Sequence, residues 1–262
     1  MFKKLFIMFA YTFCSLTSSV NAKDIDYAGI RIPDRSGKAM TVLGIINPKK
    51  LGDTLMHEHL FINYWLPPEQ PDRWNYFYGD PPRSKKELEI WNEIFSADKK
   101  FLYRLGRHSK DAFTLSNIDD AINETRLFQE LGGQTIVDLT TIGLNRQPKK
   151  LRKVSKETGV HIVMGTGFYR RAFHPKDMGE RTQQDLTRQM VTEIIHGVDD
   201  TGVKAGIIGE IPVEYLEHEP KDSNELRVLK AAAHASQLTG AAISLHLIDI
   251  PKYLWDDVLD IL

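Results

Sequence analysis

His57-Glu58-His59 sets two imidazoles at positions i and i+2. On a β-strand that spacing projects both rings from one face, where a single metal ion can be chelated by both. The same pair also occurs as two hydrogen-bonded histidines or as an accident of surface composition, so its meaning depends on what else the fold brings near. Two further ionisable residues close apolar runs: Glu210 follows Ala205-Gly206-Ile207-Ile208-Gly209, and His246 follows Ile243-Ser244-Leu245. A polar group at the end of a buried strand is costly unless it has a partner. Three strands ending in His, Glu and His therefore point to a shared one, a cation held by nitrogen and oxygen ligands from His57, His59, Glu210 and His246. A carboxylate such as Glu210 can bridge two ions about 3.5 to 4 Å apart, with hydroxide between them as the nucleophile.

The elements that must position these residues alternate along the chain. Continuously apolar or β-branched runs predict strands over Thr54–Phe61, Gln134–Thr140, His161–Gly167, Ala205–Ile211 and Ala241–Leu247. Amphipathic stretches between them predict helices over Ile118–Leu131, Pro148–Thr158, Glu180–Val198 and Asn224–Leu238. Asp222 or Ser223 can cap the last of these, and Gly132-Gly133, Gly159 and Gly240 supply stops. Strict alternation of strand and helix implies parallel strands with right-handed crossovers, an α/β fold. In a parallel barrel the carboxyl ends of all strands share one rim, which is where catalytic sites of such barrels sit.

Two segments break the alternation. Tyr27 to Lys50 contains Thr41-Val42-Leu43 and Ile45-Ile46 about a glycine, a short hairpin ahead of the first parallel strand. Residues 65–115 form an insertion with an expected helix over Lys85–Leu105. Its aromatics Trp65, Trp74, Tyr76, Phe77 and Tyr78 either pack the insertion onto the barrel or wall a site mouth.

The first 22 residues have the pattern of an export signal. Lys3 and Lys4 precede a mostly apolar run from Leu5 to Leu16, and Val20-Asn21-Ala22 places small residues before a cleavage site. The run is short for the roughly 20 residues that span a bilayer. Cleavage after Ala22 makes residues 23–262 the mature domain, periplasmic or secreted, without a membrane anchor. The formal charge then goes from −1 to −3, and Cys14, the single cysteine, leaves with the signal. Any metal in the mature chain must therefore be held by His and carboxylates. Scattered Lys and Arg at near-zero net charge offer no footprint for nucleic acid, which leaves a small molecule as the expected ligand.

Five ordered segments resemble the phosphotriesterase family of the amidohydrolase superfamily. They are Thr41–Gly44 through Leu51–Leu60, Thr135–Gly143 with Asn145-Arg146, Ile162–Tyr169, Ala205–Ile211 and Ile243–His246. The resemblance implies a metal-dependent (β/α)8 TIM barrel with a binuclear centre, commonly two zinc ions. Its members hydrolyse lactones, other carboxylic esters or phosphotriesters. By this similarity His57 and His59 hold the more buried ion, His246 the more exposed one, and Glu210 takes the bridging place that a carbamylated lysine fills in some members. Lys204 lies at the opposite end of that strand. Tyr169 matches a tyrosine that lies near the substrate carbonyl in lactonase-like members, although a phenol there can equally be a rim group in water. Asn145, Arg146, Arg170 and Arg171 are further candidate rim contacts.

The family pattern also has a histidine on the sixth strand and an aspartate on the eighth. This sequence shows about five of the eight strands of such a barrel, so on the order of 90 residues are missing from the pattern. The expectation is an incomplete barrel whose open edges favour pairing with another chain, including a second copy. Two function classes follow: a metal-dependent hydrolase of a small-molecule ester or lactone, or the larger part of one, and a non-catalytic exported binding protein or inactive remnant.

Overall fold

The computed structural model describes residues 24–64, 82–94, 111–213, 223–247 and 255–262. The signal segment and the five aromatics of the insertion lie outside them. Five strands form one parallel sheet: β5 (Thr54–Glu58), β8 (Thr135–Asp138), β9 (His161–Thr166), β10 (Ile207–Val213) and β11 (Ile243–Leu247), in the spatial order β11-β10-β9-β8-β5. Each strand lies beside its predecessor, the winding of a barrel wall. The helices between them are α2 (Ile118–Glu130), α3 (Pro148–Thr158), α4 (Gln183–Ile195) and α5 (Asn224–Thr239). A short α6 (Trp255–Leu259) follows β11, with Val258 buried.

Local chemistry sets these boundaries. Thr182 accepts from Asp185 N at 3.1 Å while Asp185 accepts from Thr182 N at 2.9 Å, a reciprocal cap that starts α4 later than the apolar pattern suggests. Ser223 rather than Asp222 provides the α5 cap, accepting from Leu226 N at 3.1 Å. Gly159 and Gly240 end α3 and α5 in left-handed conformations. The fourth parallel strand begins two residues later than expected, because Gly206 passes over the N-terminal hairpin: a Cβ there would meet Met40 O at 2.2 Å.

That hairpin, β3 (Ala39–Thr41) with β4 (Gly44–Ile46), bonds from Val42 N to Ile162 O at 2.8 Å and so sits at the amino end of the sheet. Ahead of it a second ribbon pairs β1 (Ile25–Tyr27) with β2 (Ile30–Ile32). Its two-residue turn, Ala28-Gly29, has positive φ at both positions, the geometry tight hairpins favour. The insertion begins and ends in a two-residue ladder, β6 (Ile62–Asn63) with β7 (Thr114–Leu115). Its helix α1 (Lys85–Asn92) is shorter than the expected Lys85–Leu105: the extended backbone of Glu93 stops it, and residues 95–110 are outside the described set.

Alternation along the strands divides the core. Ile162, Met164 and Ile208 lie among the buried residues that pack with the helices, whereas Val137, Leu139, Val163 and Ile207 cluster with Leu51 on the inner face. The interior strand β10 is buried throughout, but three of the five residues of edge strand β5 are exposed and β11 is half-buried. Met56 on β5 is 63% exposed and helps line an open trough of about 750 Å³ with Val137, Val163 and Ile207. The described sheet is thus a curled half-barrel with two edges that no other described strand pairs.

Candidate metal centre

The four predicted ligands come together at the carboxyl-end side of the sheet. Glu210 is 1% exposed at its side chain, and three imidazoles converge on it. His57 Nε2 and His246 Nδ1 stand 3.1 and 2.6 Å from Glu210 Oε2, and His59 Nε2 stands 3.3 Å from Oε1. Donor atoms of His57, Glu210 and His246 all lie within 4.8 Å of one another.

Two β-bulges aim these side chains. On β10 the register runs from Ile208↔Ile243 to Ile211↔Leu245, so Gly209 and Glu210 together oppose Ser244. The extra residue bends the strand and redirects its neighbour. Gly209, at φ +135, is needed because a Cβ would meet Ser244 O at 2.6 Å. The sequence places Glu210 at its strand's end, but β10 continues through Ile211-Pro212-Val213. It is the bulge, rather than the strand terminus, that presents the carboxylate. On β5 the pairing passes from Leu55↔Ile136 to Glu58↔Asp138, the same one-residue slip, with His57 inside it.

A buried carboxylate absent from the sequence reading fixes the His-containing segment. Asp138 is fully buried and accepts from Leu60 N at 2.8 Å and Thr140 N at 3.1 Å. Burial pushes its pKa up, and these two amides with the His59 imidazole work against that shift. Thr140 Oγ1 lies 3.0 Å from His59 Nδ1, leaving Nε2 as the ring nitrogen that faces Glu210.

The donor set fits a cation. Burial opposes charge on Glu210, but the His246 and His59 imidazoles outweigh it and hold the carboxyl down at about 2. Glu210 is therefore an anion at neutral pH. Yet its Oε2 makes no well-directed hydrogen bond, despite two imidazole nitrogens within 3.1 Å. A buried oxygen near nitrogens that do not point protons at it is what a missing electrophile leaves behind.

The predicted rim residues divide. Tyr169 is 5% exposed, so its phenol is not a group left in water. Its ring lies 5.9 Å from His246 and 5.8 Å from Tyr64, and Tyr64 stacks on Phe173 at 4.8 Å. Burial first, then Tyr64 and Glu210, raise the Tyr169 pKa well above the usual phenol range. Arg170 Nη1 donates to Tyr64 OH at 3.1 Å, on the same side. Arg146 is not a rim contact: it is buried in a two-pronged pair with Glu193 at 2.8 and 3.0 Å. Asn145 is exposed and accepts from Gln147, and the Arg171 backbone donates to Glu225. Lys204 lies before the first residue of β10, away from the glutamate, as expected.

The chain resembles known proteins over most of its length. It is 34% identical to human N-acetyltaurine hydrolase over 212 residues, 80% of this chain and 56% of the relative. A resiniferatoxin-binding protein from Rhodobacter sphaeroides superposes with a TM-score of 0.69 at 34% identity, covering 87% of this chain and 59% of that one. The phosphotriesterase homology protein of Escherichia coli, solved with phosphate in its active site, gives 0.58 at 26% identity, over 81% and 58%. The chain thus spans little more than half the length of these relatives. Since the family model for the phosphotriesterases matches residues 37–254, taking in all five parallel strands and the convergent His57, His59, Glu210 and His246, this chain belongs to the phosphotriesterase family.

Proposed function

We propose that this chain is a metal-dependent hydrolase, or the larger part of one, acting on a carboxylic amide, ester or lactone. The convergence of three imidazoles on the buried carboxylate of Glu210, whose Oε2 is left unsatisfied, carries the reading. His57, His59, Glu210 and His246 would hold the divalent metal. Bound there, it would supply Lewis acidity toward a carbonyl or phosphoryl oxygen and activate water for attack. Zinc would suit these nitrogen and carboxylate donors.

The remaining steps belong to the chain's own residues. Tyr169 keeps its proton across the neutral range, so it is a donor and not a base. Placed against His246, the phenol can hydrogen-bond a substrate carbonyl and the negative charge that develops on it. Thr140 and Asp138 hold His59 in place. The named activity of the curated relatives, hydrolysis of N-acetyltaurine, favours an amide as the first substrate to try. Lactone and phosphotriester hydrolysis are kept as comparison arms.

A second reading, a binding protein without turnover, is favoured by the resiniferatoxin-binding relative. The signal-like segment over residues 1–22 supports export in both readings; a mature N-terminus at Lys23, read by mass spectrometry, tests it. For activity, the zinc-loaded chain is offered N-acetyltaurine, a lactone and a phosphotriester. Acyl hydrolysis that disappears in His57→Ala supports the hydrolase. Folded, zinc-loaded protein that binds these compounds and cleaves none supports the second reading.

A further inference from the structure

The opposite end of the sheet carries a concentration of charge that the metal centre does not use. The turn of the β3–β4 hairpin, the outer face of α3 and the loop entering β10 enclose a depression of about 470 Å³. Among the described residues, the charged side chains lining it are Arg152, Lys156 and Lys204, with no carboxylate beside them. Neighbouring cations are treated differently: on the same helix Lys153 pairs with Glu157 at 3.6 Å, and Arg126 reaches that glutamate from α2 at 4.0 Å. Among the described residues, the three lining cations have no such acidic partner.

Arg152 is held in place, its Nη2 donating to Thr201 O at 2.7 Å. Its Nε is buried without an acceptor. Lys204 is half-buried, and its pKa is lowered by that burial and by nearby Arg35, so the field around the depression is positive beyond its own lining. Three like charges, two from α3 and one from the loop entering β10, repel one another, and the repulsion grows as water is excluded. One anion with several acceptor oxygens relieves it by taking charge-assisted hydrogen bonds from all three. The hairpin turn closes one side with small and apolar residues, including Thr41 and Gly44, and leaves room for a tetrahedral group.

We propose that this depression is an oxyanion site, separate from the metal centre, which takes a phosphate group either free or carried on a larger molecule. Lys204 enters β10 from its amino end, whereas Glu210 faces the other rim, so the two sites occupy opposite ends of one wall. The site is independent of the hydrolase reading, since it shares no residue with it.

The test is titration of the metal-stripped chain with inorganic phosphate, followed by calorimetry. Removing metal matters because a phosphate can also sit in a metal centre. Binding with a Kd of about 1 mM or tighter is expected, weakened at least about tenfold in Lys156→Ala/Lys204→Ala. Lys156 is exposed, so Lys156→Ala alone, which should fold normally, is expected to weaken binding measurably. His57→Ala/His246→Ala should bind phosphate as the unmodified chain does. Tighter binding of glycerol phosphate than of phosphate would assign the site to a carried phosphate group, and the reverse order to the free ion. No phosphate binding, or binding lost in the histidine variant and kept in the lysine variant, overturns the proposal.

Discussion

Thr140 Oγ1 stands 3.0 Å from His59 Nδ1, on the side of the ring away from Glu210. With the hydroxyl oxygen accepting, the proton is fixed on Nδ1 and the Nε2 lone pair is free for a metal. Thr140→Val keeps the shape and removes the acceptor. Zinc affinity should fall by about 10- to 100-fold, with Thr140→Ser retaining most of it. Competition against a fluorescent chelator measures this, and equal affinity for Val and Thr would contradict it.

Arg146 and Glu193 form the most enclosed ion pair described in this chain, with both side chains about 5% exposed or less. Glu193 also accepts from Gln189 Nε2 at 3.0 Å and from the Thr166 hydroxyl, and Arg146 reaches Gly165 O at 3.2 Å. Breaking a buried pair from one side leaves a charge stranded, so Arg146→Met should cost roughly 3 to 5 kcal/mol of stability. Arg146→Met/Glu193→Leu should recover part of that loss. Urea unfolding of the two single variants and the double variant provides the comparison; additive losses would rule out the pairing as the cause.

Two buried glutamates should give opposite pH trends in the metal-free protein. The Glu225 pKa is raised from 4.5, first by burial, with the Arg171 amide working against it. As pH rises above 4.5, the unfolded carboxyl ionises before the folded one, so its contribution to stability declines. Glu225→Gln should therefore gain on the unmodified chain with rising pH. The Glu210 carboxyl is held down at about 2, so its contribution is present above 4.5 and is lost as pH falls toward 2. Stability curves of both Gln variants across pH 3 to 8, taken by chemical denaturation on the order of one unit apart, test the two signs.

Much of this was legible in the residues. Helix α3 has the predicted limits, Pro148–Thr158, because a proline at its start and Gly159 at its end fix them locally. The expectation that Glu210 and His246 share a partner came from the cost of an ionisable group in an apolar run, and the structure places them 2.6 Å apart. The same reasoning applied to Ile136-Val137-Asp138-Leu139 would have found Asp138, which instead passed as part of a strand. The bulges at His57 and Glu210 were not legible, since register depends on which strands become neighbours. Arg146 was misread as a rim group because its partner lies 47 residues away and nothing local announces it.

The sheet edges make a prediction about the chain expressed on its own. β5 and β11 each pair with one described neighbour only, and Leu55, Met56 and Leu247 are exposed apolar residues on those strands. Open edges with apolar side chains recruit further strands. Residues 23–262 should therefore self-associate at micromolar concentration in sedimentation velocity. A single monomeric species would show that other parts of the chain cover the edges.

The most direct measurement is the zinc content of folded residues 23–262 after dialysis, taken beside His57→Ala/His246→Ala with matching circular dichroism. At least one ion retained per chain, and none in the double variant, is the predicted outcome. A folded chain that keeps no zinc, or a double variant that keeps as much as the parent, would contradict the assignment of these side chains to a metal.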